Sequence, residues 1–230
     1  MMIAACKALS CPHMEVKAIL FDLDGTLVDT VPLWGKAIAY MLAGAGVNIT
    51  PEQFHKTYTP TGQLRIWLEK FHIDPARSEQ MRKIRDTYYI RLLREQARWF
   101  PGAQELLDAL FGTLPLGLVT GSWRSYVNTI DERLSATHYF RTVITEERMG
   151  AAGFPKPHPH GLLLAAEELG VSPSQCMYIG DMLSDMECAK RAGMQSVLVR
   201  GAFTAPEALK HADHVFDTLQ ELPALFEHMQ

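Results

Sequence analysis

The chain has 230 residues, of which 47% are hydrophobic and 21% are charged, and its formal net charge is −4. This balance is typical of an ordinary globular protein, and a negative net charge without a basic run argues against a nucleic-acid partner. No apolar run approaches the roughly 20 residues of a membrane span. We therefore expect a soluble protein, one domain with room for an insertion, and neither a nucleic-acid nor a membrane partner.

The four cysteines do not show the spacing of a metal site. Cys6 and Cys11 lie in the N-terminal segment, residues 1–15, which is a poor match to a signal peptide and is expected to be a flexible extension. Cys176 falls in a predicted strand and Cys188 in a predicted helix, which favours reduced thiols in the core. The pattern predicts a protein of the reducing cytoplasm.

The first predicted element is a buried strand that ends in a pair of acids. The apolar run from Val16 to Phe21 predicts the strand, and Asp22 and Asp24 follow it before the turn at Gly25. Both carboxylates are therefore expected at the carboxyl end of a strand, the edge where open α/β sheets bind ligands. Two acids this close repel each other, and a divalent cation such as Mg²⁺ would neutralise them. One carboxylate could then attack while the other transfers protons.

Between this strand and residue 100 the pattern is helical throughout. A helix begins near Pro32, and no convincing strand is visible before about residue 100. Further helices are predicted over roughly 51–58, 62–71 and 76–97. We therefore predict a helical lid at residues 30–99, inserted into a core formed by residues 16–29 and 100–230.

After Pro101, strands and helices alternate, which predicts an α/β fold with a mostly parallel sheet and helices on both faces. The predicted strands are Pro115–Thr120, Thr142–Thr145, Gln175–Gly180, Ser196–Arg200 and His214–Phe216. The predicted helices are Ala103–Phe111, Trp123–Leu134, His158–Leu169 and Asp185–Ala192.

Three further motifs lie at the ends of these elements. The Thr-Gly-Ser segment 120–122 follows the second strand and offers hydroxyls and backbone amides to phosphate oxygens. Lys156 precedes a helix and offers a positive charge to an anion. Asp181 follows the fourth strand and can complete a Mg²⁺ shell with Asp22. Each motif alone is most often a turn or a loop, but four of them at one sheet edge favour a functional site.

Together the four motifs resemble those of the haloacid dehalogenase-like superfamily of hydrolases, in the subgroup that includes phosphoglycolate phosphatase and β-phosphoglucomutase. They occur in the family's order, and the match spans roughly residues 16–226. The resemblance implies a Rossmann-like, doubly wound core with a helical cap inserted after the first motif. It also implies a Mg²⁺-dependent enzyme that acts on a small phosphorylated substrate through an aspartyl-phosphate.

The resemblance implies a role for each matching residue. Asp22 would be the nucleophile, and Asp24 would protonate the leaving group and then activate water. The metal ligands would be Asp22, Asp181 and the main-chain carbonyl of Asp24. Lys156 would neutralise charge, and Asp185 would orient this lysine or a metal-bound water. The phosphoryl group would be held by Thr120, the amide of Gly121 and Ser122, and Thr26 would support the site.

Two positions depart from the family pattern. Pro155 stands where a glycine usually precedes Lys156, and the bulky residues Trp123 and Arg124 follow the second motif. We expect the lysine to keep its role despite the changed loop. Trp123 and Arg124 could contact a substrate, although residues in such positions more often pack against the first turn of the helix.

The second acid discriminates among the reactions of the family. Dehalogenases and phosphonate-cleaving relatives lack a residue like Asp24, so a phosphatase is the leading hypothesis. A sugar-phosphate mutase stays open, because the choice between water and a second hydroxyl as acceptor depends on how the cap excludes water. A catalytically inactive binding protein is disfavoured, since no motif residue is lost.

The motifs do not specify the substrate, because the cap selects the leaving group. The turn Thr59–Gln63 resembles the position of a substrate-reading loop, and Arg65 lies one turn further. Arg65 could hold a substrate carboxylate or second phosphate, or it could be an exposed helix arginine. Phosphoglycolate is the first candidate and sugar phosphates are the next, while nucleoside monophosphates and pyrophosphate stay open. The oligomeric state is not readable from the sequence.

Overall fold

The computed structural model describes residues 15–58, 64–150 and 153–227, and a parallel sheet of six strands forms its centre. The strands are β1 (Ala18–Phe21), β2 (Leu116–Val119), β3 (Thr142–Ile144), β4 (Cys176–Gly180), β5 (Gln195–Val199) and β6 (His214–Phe216). They lie in the order β3-β2-β1-β4-β5-β6, so the chain first moves outward from β1 and then returns to its other side. This is the doubly wound strand order, and it confirms the predicted α/β class.

Helices cover both faces of the sheet. They are α1 (Val31–Ala43), α2 (Pro51–Thr57), α3 (Leu64–Lys70), α4 (Ser78–Gln96), α5 (Ala103–Leu110), α6 (Arg124–Leu134), α7 (Glu146–Gly150), α8 (His160–Leu169), α9 (Leu183–Ala192), α10 (Ala208–His211) and α11 (Pro223–Glu227). Alternate residues of β1 enter different clusters, since Ile19 and Phe21 pack with α5 and α6 while Ala18 and Leu20 pack with α8 and α9. A strand buried on both faces explains the continuous apolar run at the start of the chain.

Helices α1–α4, residues 31–96, form a segment that we call the insert. As predicted, its described residues contain no strand. A capping box begins α2, because the Thr50 hydroxyl accepts from the Gln53 backbone N–H at 3.1 Å and the Gln53 side chain accepts from the Thr50 backbone N–H at 2.8 Å. The predicted division into lid and core as separate domains stays a prediction.

The insert has a hydrophobic cluster of its own, but two of its helices also pack on the sheet. The insert cluster contains Ile38, Met41, Leu42, Phe54, Trp67, Leu68, Ile73 and Met81. The ends of α1 and α4 nearest the sheet instead contribute Leu33, Ala37, Tyr89, Leu92 and Leu93 to the cluster around β1. Helices α1 and α4 therefore connect the insert firmly to the strand that carries the paired acids.

The remaining predictions differ from the structure mainly in short elements. Helix α7 has five residues and α10 has four, so neither is long enough to produce a readable helical period. Cys176 and Cys188 are buried free thiols, as predicted, and burial raises their pKa values to about 11 and about 12. Cys6, Cys11 and most of the predicted extension at residues 1–15 lie outside the described residues.

None of the helices in the described part of the chain combines the length and the apolar character that crossing a bilayer requires.

Candidate active site

The four sequence motifs meet at the carboxyl edge of the sheet. Asp22 follows β1 directly, Thr120 follows β2 and Asp181 follows β4. Lys156 reaches the same place from the loop before α8. Because β1 pairs with both β2 and β4, residues that are distant along the chain become neighbours at one edge.

Lys156 lies between two carboxylates. Its Nζ donates to Asp22 Oδ1 at 2.7 Å and to Asp185 Oδ1 at 2.9 Å, and its side chain is only 10% exposed. The same Nζ lies 5.3 Å from the centre of the Tyr178 ring, and the Tyr178 hydroxyl is 3.2 Å from Asp185 Oδ1. Tyr178 therefore closes the buried side of the ion pair. Sequence analysis missed this residue, since it falls within a continuous apolar strand.

Burial and mutual repulsion dominate the electrostatics of the acids. Burial raises the pKa of Asp22 to about 7, and Lys156 opposes this shift while Asp185 and Asp24 add to it. Burial, followed by the charges of Asp185 and Asp22, raises the pKa of Asp181 well above its usual value. For Lys156, burial alone lowers the pKa, but the carboxylates of Asp185 and Asp22 outweigh it and raise the pKa above its usual range.

Three of these acids fit a divalent cation. Carboxylate oxygens of Asp22, Asp181 and Asp185 all lie within 4.8 Å of one another, and all three residues are buried. Among the described residues, one ammonium, that of Lys156, bonds to two of them. Hard oxygen donors with uncompensated negative charge match the preferences of Mg²⁺ and similar ions.

The backbone closes tightly around Asp181. A Cβ atom at Gly25 would lie 2.8 Å from Asp181 Oδ2, and Gly25 has a φ of +84°, so only glycine fits this turn without strain. On the other side, a Cβ at Gly201 would lie 3.0 Å from the same oxygen. The Thr26 hydroxyl donates to Asp181 Oδ1 at 3.0 Å.

Asp24 points away from this triad and toward the second motif. Its Oδ1 accepts from the Thr30 hydroxyl at 2.7 Å, and its Oδ2 accepts from the hydroxyls of Ser122 at 2.7 Å and Thr120 at 3.1 Å. The two acids after β1 therefore occupy different environments, one beside Lys156 and one among hydroxyls. Gly121 has open space where a Cβ would lie and lines the cavity described next.

A cavity of about 350 Å³ separates these acids from the insert. From the insert it is lined by Val31, Trp34, Tyr58, Arg85 and Tyr89, none of which sequence analysis singled out for the site. On the side of the sheet it is lined by Asp22, Asp24, Thr30, Gly121, Ser122, Trp123, Tyr126, Glu146, Pro155, Lys156, Met182, Ser184 and Asp185. The acids and the lysine thus lie on the sheet side, and aromatic rings form most of the wall from the insert.

Arg85 is the positive charge that the insert presents to the cavity. Its side chain is 7% exposed, its Nε donates to Asp86 Oδ1 at 2.8 Å, and its Cζ lies 4.5 Å from the centre of the Trp34 ring. Arg85 follows the buried Met81 by four residues and precedes the buried Tyr89 by four, so it lies on the apolar stripe of α4. This position could have identified Arg85 from the sequence, because a charged residue on an apolar helix stripe is unusual.

Arg65 lies elsewhere. It is on the exposed side of α3, where its Nε is 3.6 Å from Glu69 Oε1, and it does not line the cavity. The predicted substrate-reading turn Thr59–Gln63 lies outside the described residues. Trp123 does line the cavity, whereas an Nη atom of Arg124 is 3.4 Å from the Val143 carbonyl oxygen.

Comparison with known proteins identifies a family model and relatives that match this chain. A family model described as haloacid dehalogenase-like hydrolase matches residues 19–199. The phosphoglycolate phosphatase of Shigella boydii is 32% identical over 237 aligned positions, which cover 92% of this chain and 93% of that protein. The phosphoglycolate phosphatase of Escherichia coli O157:H7 matches to the same extent.

Solved structures share the fold. CbbY from Rhodobacter sphaeroides, in complex with phosphate, superposes with a TM-score of 0.78 at 24% identity and covers 90% of this chain and 96% of that one. β-Phosphoglucomutase from Clostridium difficile superposes with a TM-score of 0.75 at 24% identity and covers 93% and 97%. The same arrangement of strands and helices therefore occurs in a protein named as a mutase, so the fold by itself does not specify the reaction.

Proposed function

The chain belongs to the haloacid dehalogenase-like hydrolase family and is a phosphatase of that family, and on this premise we propose that it hydrolyses a small phosphorylated metabolite with Mg²⁺ and an aspartyl-phosphate intermediate. The observation that carries the proposal is the pair of differently placed acids after β1. Asp22 bonds to Lys156, and Asp24 bonds to three hydroxyls at the edge of the same cavity. One carboxylate is placed to attack and the other to exchange protons.

In the first step Asp22 attacks phosphorus. A bond forms between its carboxylate oxygen and phosphorus as the bond from phosphorus to the leaving oxygen breaks, and Asp24 gives that oxygen a proton. Lys156, held by Asp22 and Asp185, keeps a positive charge beside the reacting oxygens.

In the second step Asp24 takes a proton from water, and the water oxygen bonds to phosphorus as the bond to Asp22 breaks. Asp22 is thereby returned to its starting form. The hydroxyls of Thr120 and Ser122 bond to Asp24, and Gly121 and Ser122 line the cavity, so we assign to this segment the holding of phosphoryl oxygens in both steps.

The cation would be held by Asp22, Asp181 and the main-chain carbonyl of Asp24, with Asp185 in reach of the same position. When bound, Mg²⁺ supplies positive charge to the phosphoryl oxygens. The three buried carboxylates support this assignment, because they carry more negative charge than Lys156 neutralises.

For the substrate we propose a phosphoglycolate-like compound first and a sugar phosphate second. The named relatives support the first choice. Arg85 supports it as well, because a buried guanidinium on the insert wall can hold a second anionic group of the substrate. We transfer to Arg85 the role considered for Arg65, which lies outside the cavity lining. No described contact favours a mutase over a phosphatase.

Localisation and partners follow from the same proposal. Small-molecule substrates suit a cavity of about 350 Å³, and two free buried thiols suit the reducing cytoplasm. The absence of a nucleic-acid partner stays a prediction from the charge of −4.

Phosphate release from a panel of phosphorylated metabolites tests the proposal. The panel holds phosphoglycolate, hexose phosphates, nucleoside monophosphates and pyrophosphate, each with and without Mg²⁺, for the wild type and for Asp22→Asn. We expect Mg²⁺-dependent release that is lost in the variant. Release that persists without Mg²⁺ or in Asp22→Asn would contradict the mechanism, and hexose-phosphate isomerisation without release would identify a mutase.

A further inference from the structure

One phenylalanine from the sheet side packs into the hydrophobic cluster of the insert. Phe203 lies in the loop after β5, yet its ring centre is 4.3 Å from that of His55, 4.6 Å from that of Tyr58 and 6.0 Å from that of Phe54. Among the described residues of the insert cluster and its partly buried neighbours, Phe203 is the one that comes from outside the insert. It therefore joins α2 to the sheet edge.

The loop that carries Phe203 is tied to Asp181. The Thr204 hydroxyl donates to the Asp181 carbonyl oxygen at 2.6 Å and accepts from the Gly201 backbone N–H at 2.8 Å. Gly201 itself passes close to the Asp181 carboxylate. Because both sides of Phe203 are held in this way, its ring has a set position relative to the acids.

Tyr58 directly follows α2 and faces the cavity that the acids line. It caps the C-terminus of α2, lines the cavity and packs its ring on Phe203. Burial raises the pKa of its phenol above the usual range, and the charges of Asp24 and then Asp181 add to this shift. Tyr58 therefore lines the same cavity as Asp22 and Asp24, and its phenol keeps the proton that a hydrogen-bond donor needs.

We propose that Tyr58 donates a hydrogen bond to the transferring phosphoryl group. Phe203 is the positioning residue, because it holds the C-terminal end of α2 in place for this contact. This inference rests on the proposed phosphatase activity. A donor held in place before the reaction stabilises developing charge without reorganisation. Phe203 supplies that fixed position, because its loop is bonded to Asp181 while its ring packs on Tyr58. The insert thereby contributes a group to the chemistry in addition to enclosing it.

Hydrogen exchange tests the positioning role without any substrate. The amides of Phe54 and Tyr58 bond within the first and last turns of α2, so their exchange reports how firmly this helix is seated. In Phe203→Ala we expect the peptide over 51–58 to exchange about tenfold faster, while α5 stays unchanged. The matched control is Phe111→Ala, which removes an exposed ring that contacts His138 and Tyr139 instead of the insert. Unchanged exchange of α2 in Phe203→Ala would overturn the positioning role.

A double-mutant cycle on phosphate release tests the catalytic contact. Tyr58→Phe keeps the ring on Phe203 and removes only the hydroxyl, so we expect kcat/KM to fall by about 100-fold. Phe203→Ala should reduce kcat/KM by about tenfold in the wild type and have little further effect in Tyr58→Phe, because Phe203 acts through that hydroxyl. If the loss of kcat/KM in the double variant equals the product of the two single losses, the coupling is overturned. Full activity of Tyr58→Phe would overturn the hydrogen bond.

The two experiments also separate this inference from the proposed function. Absence of phosphatase activity in the wild type would remove the proposed function and the Tyr58 contact, while the exchange result would still decide whether Phe203 seats α2. Should Phe203→Ala not fold, Phe203→Leu retains an apolar side chain but loses the aromatic contact, and the same cycle applies.

Discussion

The two walls of the cavity are built differently. The wall at the sheet edge carries the acids, the hydroxyls and one lysine, together with the side chains of Trp123, Tyr126 and Met182. The wall from the insert consists of aromatic rings and Arg85, placed by the packing of α1, α2 and α4. Under the proposed function, the sheet edge supplies the two carboxylates that would react, while the insert would contact the rest of the substrate and, through Tyr58, the phosphoryl group.

Hydrogen bonding shows the same contrast. On the sheet side, four acids each accept at least one hydrogen bond from a side chain: Asp22, Asp24, Asp181 and Asp185. Glu146 also lines the cavity, and no hydrogen bond to its side chain is found among the described residues. On the insert side, Trp34 is held by ring contacts, with the Tyr89 ring centre 4.8 Å away and the Arg85 guanidinium above it. Directional bonds fix the reacting groups, and packing sets the shape of the opposite wall.

Asp22→Asn should have the largest effect, because an amide is not a nucleophile toward phosphorus. We expect phosphate release to fall by about 10⁴-fold or more. The melting temperature should stay close to that of the wild type, since Lys156 keeps its bond to Asp185. Phosphate release and thermal unfolding followed by circular dichroism measure the two outcomes. An active, normally folded variant would remove Asp22 from the chemistry.

Lys156→Met should have the next largest effect and should change stability as well. Loss of the ammonium leaves Asp22 and Asp185 without their shared partner. We expect activity to fall by about 10³-fold and the free energy of unfolding to fall by about 3 kcal/mol, measured in urea. Lys190→Met, on the exposed side of α9, is the matched control and should change neither. Equal effects in both variants would place the charge requirement elsewhere.

Mg²⁺ should stabilise the protein through the three buried acids. At 100 times its dissociation constant, a ligand that binds only the folded state adds about 2.7 kcal/mol to the free energy of unfolding. We expect Asp181→Asn to remove most of this gain and Asp217→Asn, which loses an exposed ion pair with Arg200, to retain it. The melting temperature at increasing Mg²⁺ concentration is the measurement. A gain that persists in Asp181→Asn would contradict the proposed ligand set.

Arg85→Met should have the smallest effect on turnover and the most selective one. Loss of a charged hydrogen-bond donor in a buried wall should raise KM for phosphoglycolate by about tenfold or more, with little change for an alkyl phosphate whose leaving group is neutral. Arg65→Met removes a side chain that is 75% exposed and should change KM by less than about twofold. If KM rose equally for both substrates in Arg85→Met, the role of this arginine would be packing on Trp34 instead of substrate recognition.

The motif residues of the sheet side could be predicted from the order of residues, whereas Tyr178 and lining residues such as Glu146 and Ser184 could not. Asp22, Asp24 and Asp181 follow apolar runs that predict buried strands, and parallel strands bring their carboxyl ends to one edge. Lys156 was singled out as a positive charge for an anion, the family resemblance implied that it neutralises charge on the nucleophile and phosphate, and the structure places it between Asp22 and Asp185. The separate directions of the Asp22 and Asp24 side chains could not be predicted, because they depend on partners from other parts of the chain.

The insert side was predicted less well. Its helices were recognised from their period, but Arg65 was singled out by its place in the chain, while Arg85 is the arginine that lines the cavity. Tyr58 and Phe203 are separated by most of the sequence, and no local pattern relates them. Their contact arises only when the loop after β5 meets α2.

Local sequence was sufficient for Asp22 and Asp24, the groups proposed to react, because both follow a strand and a parallel sheet has one carboxyl edge. The residues that would surround the substrate could be identified only from the folded structure. Helix period specifies which side of a helix is apolar, but the rotation and crossing of packed helices determine which side chain faces a cavity. For this reason the positions of Asp22 and Asp24 could be predicted from the sequence, whereas those of Arg85, Tyr58 and Phe203 depend on how the insert packs on the sheet.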